Sequence, residues 1–134
     1  MRICIDLDGV ICQLRAPGQN YADLAPVPGA VEKLRELRAA GHYIIIATAR
    51  HMKTCEGNLG QVLARQGGVT LAWLERYGIE YDEIYFGKPH AQVYLDDNAV
   101  RFEGWEKLPG DGSSLPTSAE SKAAAQFKEH KRTP

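Results

Sequence analysis

The chain reads as an α/β protein built on a parallel sheet with helices on both faces. Three observations predict this. Apolar runs of strand length recur at Arg2-Ile3-Cys4-Ile5, His42 to Ala47, Glu83-Ile84-Tyr85-Phe86 and Gln92-Val93-Tyr94-Leu95. Stretches with helical spacing separate the first three, and strands alternating with helices imply parallel pairing. Each run also stops at a polar cluster, and in an open parallel sheet ligands collect at the carboxyl ends of the strands.

The elements follow in order. The first strand ends abruptly at Asp6-Leu7-Asp8-Gly9, which predicts a buried strand feeding a polar loop. A connection rich in Pro and Gly, including Pro17-Gly18 and Pro28-Gly29, leads to a helix on which Val31, Leu34 and Leu37 recur at a spacing of three. Pro28 before it and Gly41 after it are the punctuation such a helix needs. The second strand ends at Thr48-Ala49-Arg50. Residues 58–77 read as helical with a break at Gly67-Gly68, an apolar face of Trp73, Leu74 and Tyr77, and a stop at Gly78. The third strand stops at Gly87-Lys88-Pro89 and the fourth at Asp96-Asp97; one more short element is expected around Phe102 and Trp105. From Pro109 the composition changes to a Gly- and Ser-rich linker, so residues 1–108 are expected to form the catalytic domain. Residues 109–134 are expected to be linker and tail, with a short helix whose only sizeable apolar side chain is Phe127.

With 134 residues, the chain has room for one domain. Its 44% hydrophobic and 25% charged residues are those of an ordinary globular protein. A formal net charge of -1 gives no bulk attraction to nucleic acid or an anionic membrane. The longest apolar run, Tyr43 to Ala47, is far short of the roughly 20 residues that span a bilayer. Acidic Asp6 and Asp8 stand where a secretory leader would be apolar. Cys4, Cys12 and Cys55 form no Cys-x-x-Cys pair and no even framework, so the expectation is reduced thiols in a cytoplasmic protein.

The strand ends carry the chemistry. Four pieces of chain would deliver two acidic pairs, a hydroxyl and an ammonium to one crevice. Carboxylates crowded together raise one another's pKa unless a cation neutralises them. Magnesium is the hard cation that takes oxygen ligands and keeps waters for a phosphate to replace. A carboxylate can also attack phosphorus, giving an aspartyl-phosphate, while Lys88 and Thr48 hold the phosphoryl oxygens.

Asp6-Leu7-Asp8-Gly9-Val10, Thr48, Lys88-Pro89 and Asp96-Asp97 resemble, in order, the four motifs of the haloacid dehalogenase (HAD) superfamily, over residues 2 to about 103. One Asp-x-Asp-Gly is a weak signal; four motifs in order, each at a strand end, are a strong one. The resemblance implies a HAD-like Rossmannoid fold and a magnesium-dependent phosphatase. It would make Asp6 the nucleophile and a metal ligand. Asp8 would serve as general acid and base and ligate metal through its backbone carbonyl. Thr48 would bond the phosphoryl group, and Lys88 would stabilise nucleophile and phosphate. Asp96 and Asp97 would complete the magnesium site, which of them directly being left open. The second Asp, Asp8, is the mark of the superfamily's phosphatases rather than its dehalogenases.

Residues 48–54, Gly57-Asn58, Tyr81-Asp82-Glu83-Ile84 and Gly87-Lys88-Pro89 are further similar to small phosphatases associated with capsular polysaccharide biosynthesis. This implies a small sugar phosphate or related ester as substrate. A large cap domain is not expected, because residues 9–28 are short and rich in Pro and Gly, and residues 48–88 hold little beyond the helix of the basic fold. Without a cap, the loop after Thr48 is the candidate reader of the leaving group. Arg50, His51 and Asn58 would bind the substrate and Lys53 would add a further donor, against the plainer reading of a solvated loop with Asn58 as a helix cap.

His51 and Cys55 sit four apart, but structural zinc needs four ligands and no second close pair exists. His42 and His90 read as ordinary strand-edge and loop residues. Trp73 and Tyr77 read as helix core rather than a base-stacking platform. A phosphatase acting on a nucleic-acid end or phosphoprotein is one alternative; an idle HAD-fold binding module is another. A homo-oligomer is left open.

Overall fold

The computed structural model describes residues 1–109 and 111–132, so Gly110 of the expected linker and the last two residues of the tail lie outside the described residues. Three strands, β1 (Arg2–Asp6), β2 (Tyr43–Thr48) and β3 (Glu83–Phe86), form a parallel sheet in the order β1-β2-β3. Register runs Ile3 with Ile44 and Ile5 with Ile46, then Ile46 with Ile84 and Thr48 with Phe86. Parallel neighbours in register put these side chains on one face. The fold is therefore α/β with a small, open, Rossmann-like parallel sheet.

Helix α1 (Ala30–Ala39) connects β1 to β2 and buries Ala30, Leu34 and Leu37. Gly29 precedes it at φ 85°, and a Cβ there would stand 3.2 Å from the Cβ of Trp105. Both the turn and the close approach require glycine. Between β2 and β3 the chain is helical without interruption from Leu59 to Arg76: α2 (Leu59–Val62), a π-helical turn (Leu63–Gly67) and α3 (Gly68–Arg76). The break expected at Gly67-Gly68 is thus a π turn, which carries the chain past two poor helix formers with the helix unbroken. Gly78 ends the helix at φ 66°, the left-handed stop common after helices.

The core joins Ile5, Ile44 and Ile46 to Leu34 and Leu37 of α1 and Trp73 and Leu74 of α3, with Ile3 and Ile84 packed against it. Every strand residue named there lies on one face of the sheet. On the opposite face Cys4 is exposed, Tyr43, Ile45 and Ala47 are half-buried and Tyr85 is exposed. The core is one-sided, which departs from the expectation of helices on both faces.

The expected fourth strand differs too. Residues 92–95 form no strand, and Val93, Tyr94 and Leu95 are exposed, Leu95 at 96%. Further on, a 3-10 turn (Trp105–Lys107) returns the chain to the core. Trp105 is buried, its ring meets Phe102 at 5.3 Å, and its indole N–H donates to the Val10 carbonyl at 2.7 Å. Helix α4 (Ala119–Arg132) lies in the tail with Phe127 exposed. No helix among the described residues is long and apolar enough to cross a membrane.

Candidate active site

Asp6 is the last residue of β1, and its carboxylate accepts the Leu7 N–H at 2.8 Å. The loop that follows is tightly bonded. The amides of Ile11 and Cys12 both donate to the Leu7 carbonyl at 2.9 Å, and Gly9 N–H donates to the Cys12 carbonyl at 2.7 Å. Val27 N–H donates to the Ile11 carbonyl and Gln13 N–H to the Ala25 carbonyl, which anchors the loop on the strand-like stretch before α1. With Leu7, Ile11 and Cys12 fully buried, the backbone of Asp6 and Asp8 is held from below and only their side chains face outward.

The second wall is the loop after β2. Thr48 is buried, and its Oγ1 accepts the Arg50 N–H at 3.1 Å. Arg50 turns inward instead of outward. Its Nε lies 3.1 and 3.0 Å from the two Asp8 carboxylate oxygens, its Nη2 lies 2.9 Å from Asp8 Oδ1, and its Nη1 donates to Thr70 Oγ1 at 3.2 Å. The Tyr21 ring covers the guanidinium at 4.2 Å. His51 takes φ 59°, a left-handed conformation rare outside glycine. Its Nδ1 is buried with no partner among the described residues, and its ring meets Tyr21 at 5.8 Å. Burial lowers its pKa, assisted by Arg65, Arg15 and Arg50, so the imidazole is neutral near pH 7.

The third contribution comes from the end of β3. Lys88 N–H donates to the Thr48 carbonyl at 3.1 Å, which carries the chain over β2 towards β1. Its ammonium then lies 3.5 Å from Asp6 Oδ2. Burial raises the Asp6 pKa; Lys88 and the Leu7 amide oppose that, and the Asp8 charge adds to it. The net effect is upward, because the carboxylate is less hydrated than a surface aspartate.

These walls enclose a cavity of about 270 Å³ lined by Asp6, Asp8, Tyr21, Ala49, Arg50, His51, Lys53, Thr54 and His90. Of the expected site residues, Asp6, Asp8, Arg50 and His51 meet in it, and Lys88 reaches it through Asp6. Thr48 lies beneath, buried and bonded to the loop amide. Asn58 stays outside: it caps α2, its Oδ1 accepting the Gln61 N–H at 3.1 Å. Asp96 and Asp97 are exposed outside the cavity lining, and Asp96 Oδ1 accepts the Asn98 N–H at 2.7 Å. Among the described residues no three His, Cys, Asp or Glu side chains gather closely enough to hold a metal ion. The four-carboxylate crevice expected from the sequence is therefore half assembled.

Sequence reasoning missed Tyr21, Thr70 and His90. Tyr21 opens a single 3-10 turn (Tyr21–Asp23) and Thr70 lies inside α3, positions with no local signal. His90 follows Lys88 by two residues, and that proximity was the available clue.

A 21%-identical chain of the Pnkp1/Rnl/Hen1 complex matches 72% of this chain and 30% of its own length, at a TM-score of 0.47. No family model matches the sequence, and no curated protein does. A crystal structure of a structural-genomics target from Vibrio cholerae superimposes with a TM-score of 0.69 at 31% identity, covering 96% of this chain and 98% of its own. With that identity extending over nearly the whole of both molecules, this chain belongs to the same family as the Vibrio cholerae protein.

Proposed function

We propose that this chain is a magnesium-dependent phosphatase of the HAD superfamily that hydrolyses a small phosphate monoester through an aspartyl-phosphate on Asp6. One observation carries the reading: the partly desolvated Asp6 carboxylate, its ammonium partner Lys88 at 3.5 Å, stands beside Asp8 in a polar cavity at the carboxyl end of a parallel sheet. Fixed charge beside a nucleophile, with little for the protein to do beyond positioning, is what phosphoryl transfer requires.

An Asp6 oxygen attacks phosphorus and the bond from phosphorus to the ester oxygen breaks. Asp8 gives a proton to the departing alkoxide, so the first product leaves as an alcohol. Water then attacks the acyl phosphate; Asp8 takes a proton from it, Asp6 is released, and inorganic phosphate forms. Lys88 balances charge on the phosphoryl oxygens and on Asp6 throughout. Arg50 orients Asp8 and does not touch the substrate. The readers of the leaving group are instead Lys53, Thr54, His51 and His90, whose mixture of donors and acceptors suits a hydroxylated ester such as a sugar phosphate.

Magnesium suits the donor chemistry, since the Asp6 carboxylate and the Asp8 carbonyl are hard oxygens, and it would supply charge neutralisation at the phosphate. The number of donors from a single chain falls short, because Asp96 and Asp97 stand elsewhere. The test is phosphate release from a panel of sugar phosphates and an aryl phosphate, with and without magnesium. Release that requires both magnesium and Asp6, and is faster on one sugar phosphate, supports the reading. Near-native turnover by Asp6→Asn would sink it.

A further inference from the structure

Resting on that reading, we propose that two copies of this chain exchange residues 92–97, each laying Gln92–Leu95 along the free edge of the other's β1 and supplying Asp96 and Asp97 to the other's Asp6 site.

The argument begins with connection length. For Asp96 and Asp97 to reach Asp6, the run before them must lie parallel to β1 with its carboxyl end beside that of β1. A parallel addition within one sheet needs a crossover of a dozen or more residues. Between Phe86, the end of β3, and Gln92 the chain has only residues 87–91. The connection is too short to bring the strand back to the start of the sheet, so the chain cannot close its own site this way. A strand from another copy has no such limit.

The placement of the segment agrees. The chain leaves β3 across β2 towards β1: Lys88 reaches Asp6, His90 lines the cavity, and the Tyr94 ring lies 4.3 Å from the Lys88 ammonium. The Tyr94 hydroxyl donates to the Pro89 carbonyl, folding the hinge tightly. The segment then projects into solvent with Val93 at 71% and Leu95 at 96% exposure. A β-branched and aromatic run held out in this way is an unpaired strand by composition. At the same time β1 is an edge strand bonded only to β2, with one row of backbone groups open. Open edge and unpaired strand occur on the same molecule, and a two-fold axis satisfies both at once. Trp105 packs back under Val10 of its own chain, so the exchanged piece is a loop anchored at both ends.

The test uses the full chain. Sedimentation at tens of micromolar should give a dimer, and Leu95→Lys should give a monomer with unchanged circular dichroism, since Leu95 makes little contact within its own chain. Lengthening the hinge by about eight Gly and Ser residues after Pro89 reaches the dozen that a cis crossover needs, and should give a monomer. Manganese titration by calorimetry should show binding to the wild-type dimer and to the long-hinge monomer, and at least tenfold weaker binding to Leu95→Lys.

For catalysis, Asp6→Asn and the Asp96→Asn/Asp97→Asn double variant should each be inactive. Co-expressed with different tags and purified through both, they should form a heterodimer with one intact site of two and about half the wild-type activity. A wild-type monomer, a dimer indifferent to Leu95→Lys, or an inactive heterodimer beside an active wild type would each overturn the exchange. A metal-binding dimer without phosphatase activity would overturn the proposed reaction and leave the exchange standing.

Discussion

Arg50→Ala measures whether this arginine is a support or a reader of substrate. The wild-type side chain is fully buried, while the Asp8 carboxylate it forks keeps 23% exposure. Removing one member of a buried pair costs about 3–5 kcal/mol, and the access of Asp8 to water reduces that to about 2 kcal/mol. Thr70 Oγ1 loses its partner inside the core, which costs about 1 kcal/mol more. The Tyr21 ring loses a cation at 4.2 Å, a further contribution of about 1 kcal/mol. The expected loss is about 4 kcal/mol, a large share of the 5–15 kcal/mol that a domain has. Urea unfolding should show the midpoint fall at unchanged slope, and Tm should drop by roughly 12 °C. Arg50→Lys keeps the charge but not the fork, and should recover less than half of the loss. In an Asp8→Asn background the effect of Arg50→Ala should shrink by about 2 kcal/mol, the coupling of the pair. A loss below about 1 kcal/mol for Arg50→Ala would refute the account, because a side chain free to meet substrate costs little to remove.

Asp6→Asn should abolish turnover and leave the fold intact. Because burial holds the folded pKa of Asp6 above its ordinary value of 3.8, the folded state takes up a proton more readily than the unfolded chain. Stability is then lost as pH rises through the interval between the two values, and that cost is fully present at neutral pH. In metal-free buffer Asp6→Asn should therefore unfold later than wild type at pH 7, with the gap closing below the ordinary carboxylate value; an earlier unfolding at pH 7 would contradict the direction of the shift. Asn58→Ala removes a helix cap outside the cavity, so urea unfolding should show a loss of about 1 kcal/mol. Its kcat/KM should stay unchanged on sugar and aryl phosphates alike. Burial pushes the Cys12 thiol up to about 11 and raises the Cys4 thiol too, but Cys4 is open to solvent while Cys12 is fully buried. Iodoacetamide at pH 8 should thus label Cys4 first and reach Cys12 only in denaturant, as peptide mass mapping would record.

Much of the fold was legible because burial follows period. Ile3 and Ile5, Ile44 and Ile46, and Leu34 and Leu37 all lie where their spacing puts them. The cluster at the strand ends was legible too, since Asp6, Asp8 and Lys88 each follow directly on an apolar run. Arg50 was legible as a residue of the cavity, but its inward ion pair was not, because a charged residue in a loop is taken as outward-facing by default. What overrides that default is a carboxylate 42 residues away in sequence, together with a threonine on a helix and a tyrosine in a 3-10 turn. No local pattern contains that information. The π turn was hidden for a similar reason: Gly67-Gly68 is a poor helix stretch by propensity, but its neighbours Val62, Trp73 and Leu74 are anchored in the interior on both sides. Tertiary packing outweighs a local cost of about 2 kcal/mol for two glycines.

The missing fourth strand teaches a different lesson. Gln92–Leu95 has the composition of a strand and ends in two acids, so period and motif agree on it. Neither considers the path between strands. A hairpin return closes with two residues, but a parallel return must travel back along the sheet before it can pair. Five residues after β3 forbid what the side chains favour. The result is a segment whose composition asks for a neighbour and whose tether withholds the one in its own chain. Strand propensity and connection length are independent constraints, and a sequence that satisfies the first while failing the second has one economical resolution, a second copy. In that arrangement the half-built carboxylate cluster around Asp6 is the single-chain half of a site whose other half is carried, ready and exposed, at Asp96 and Asp97.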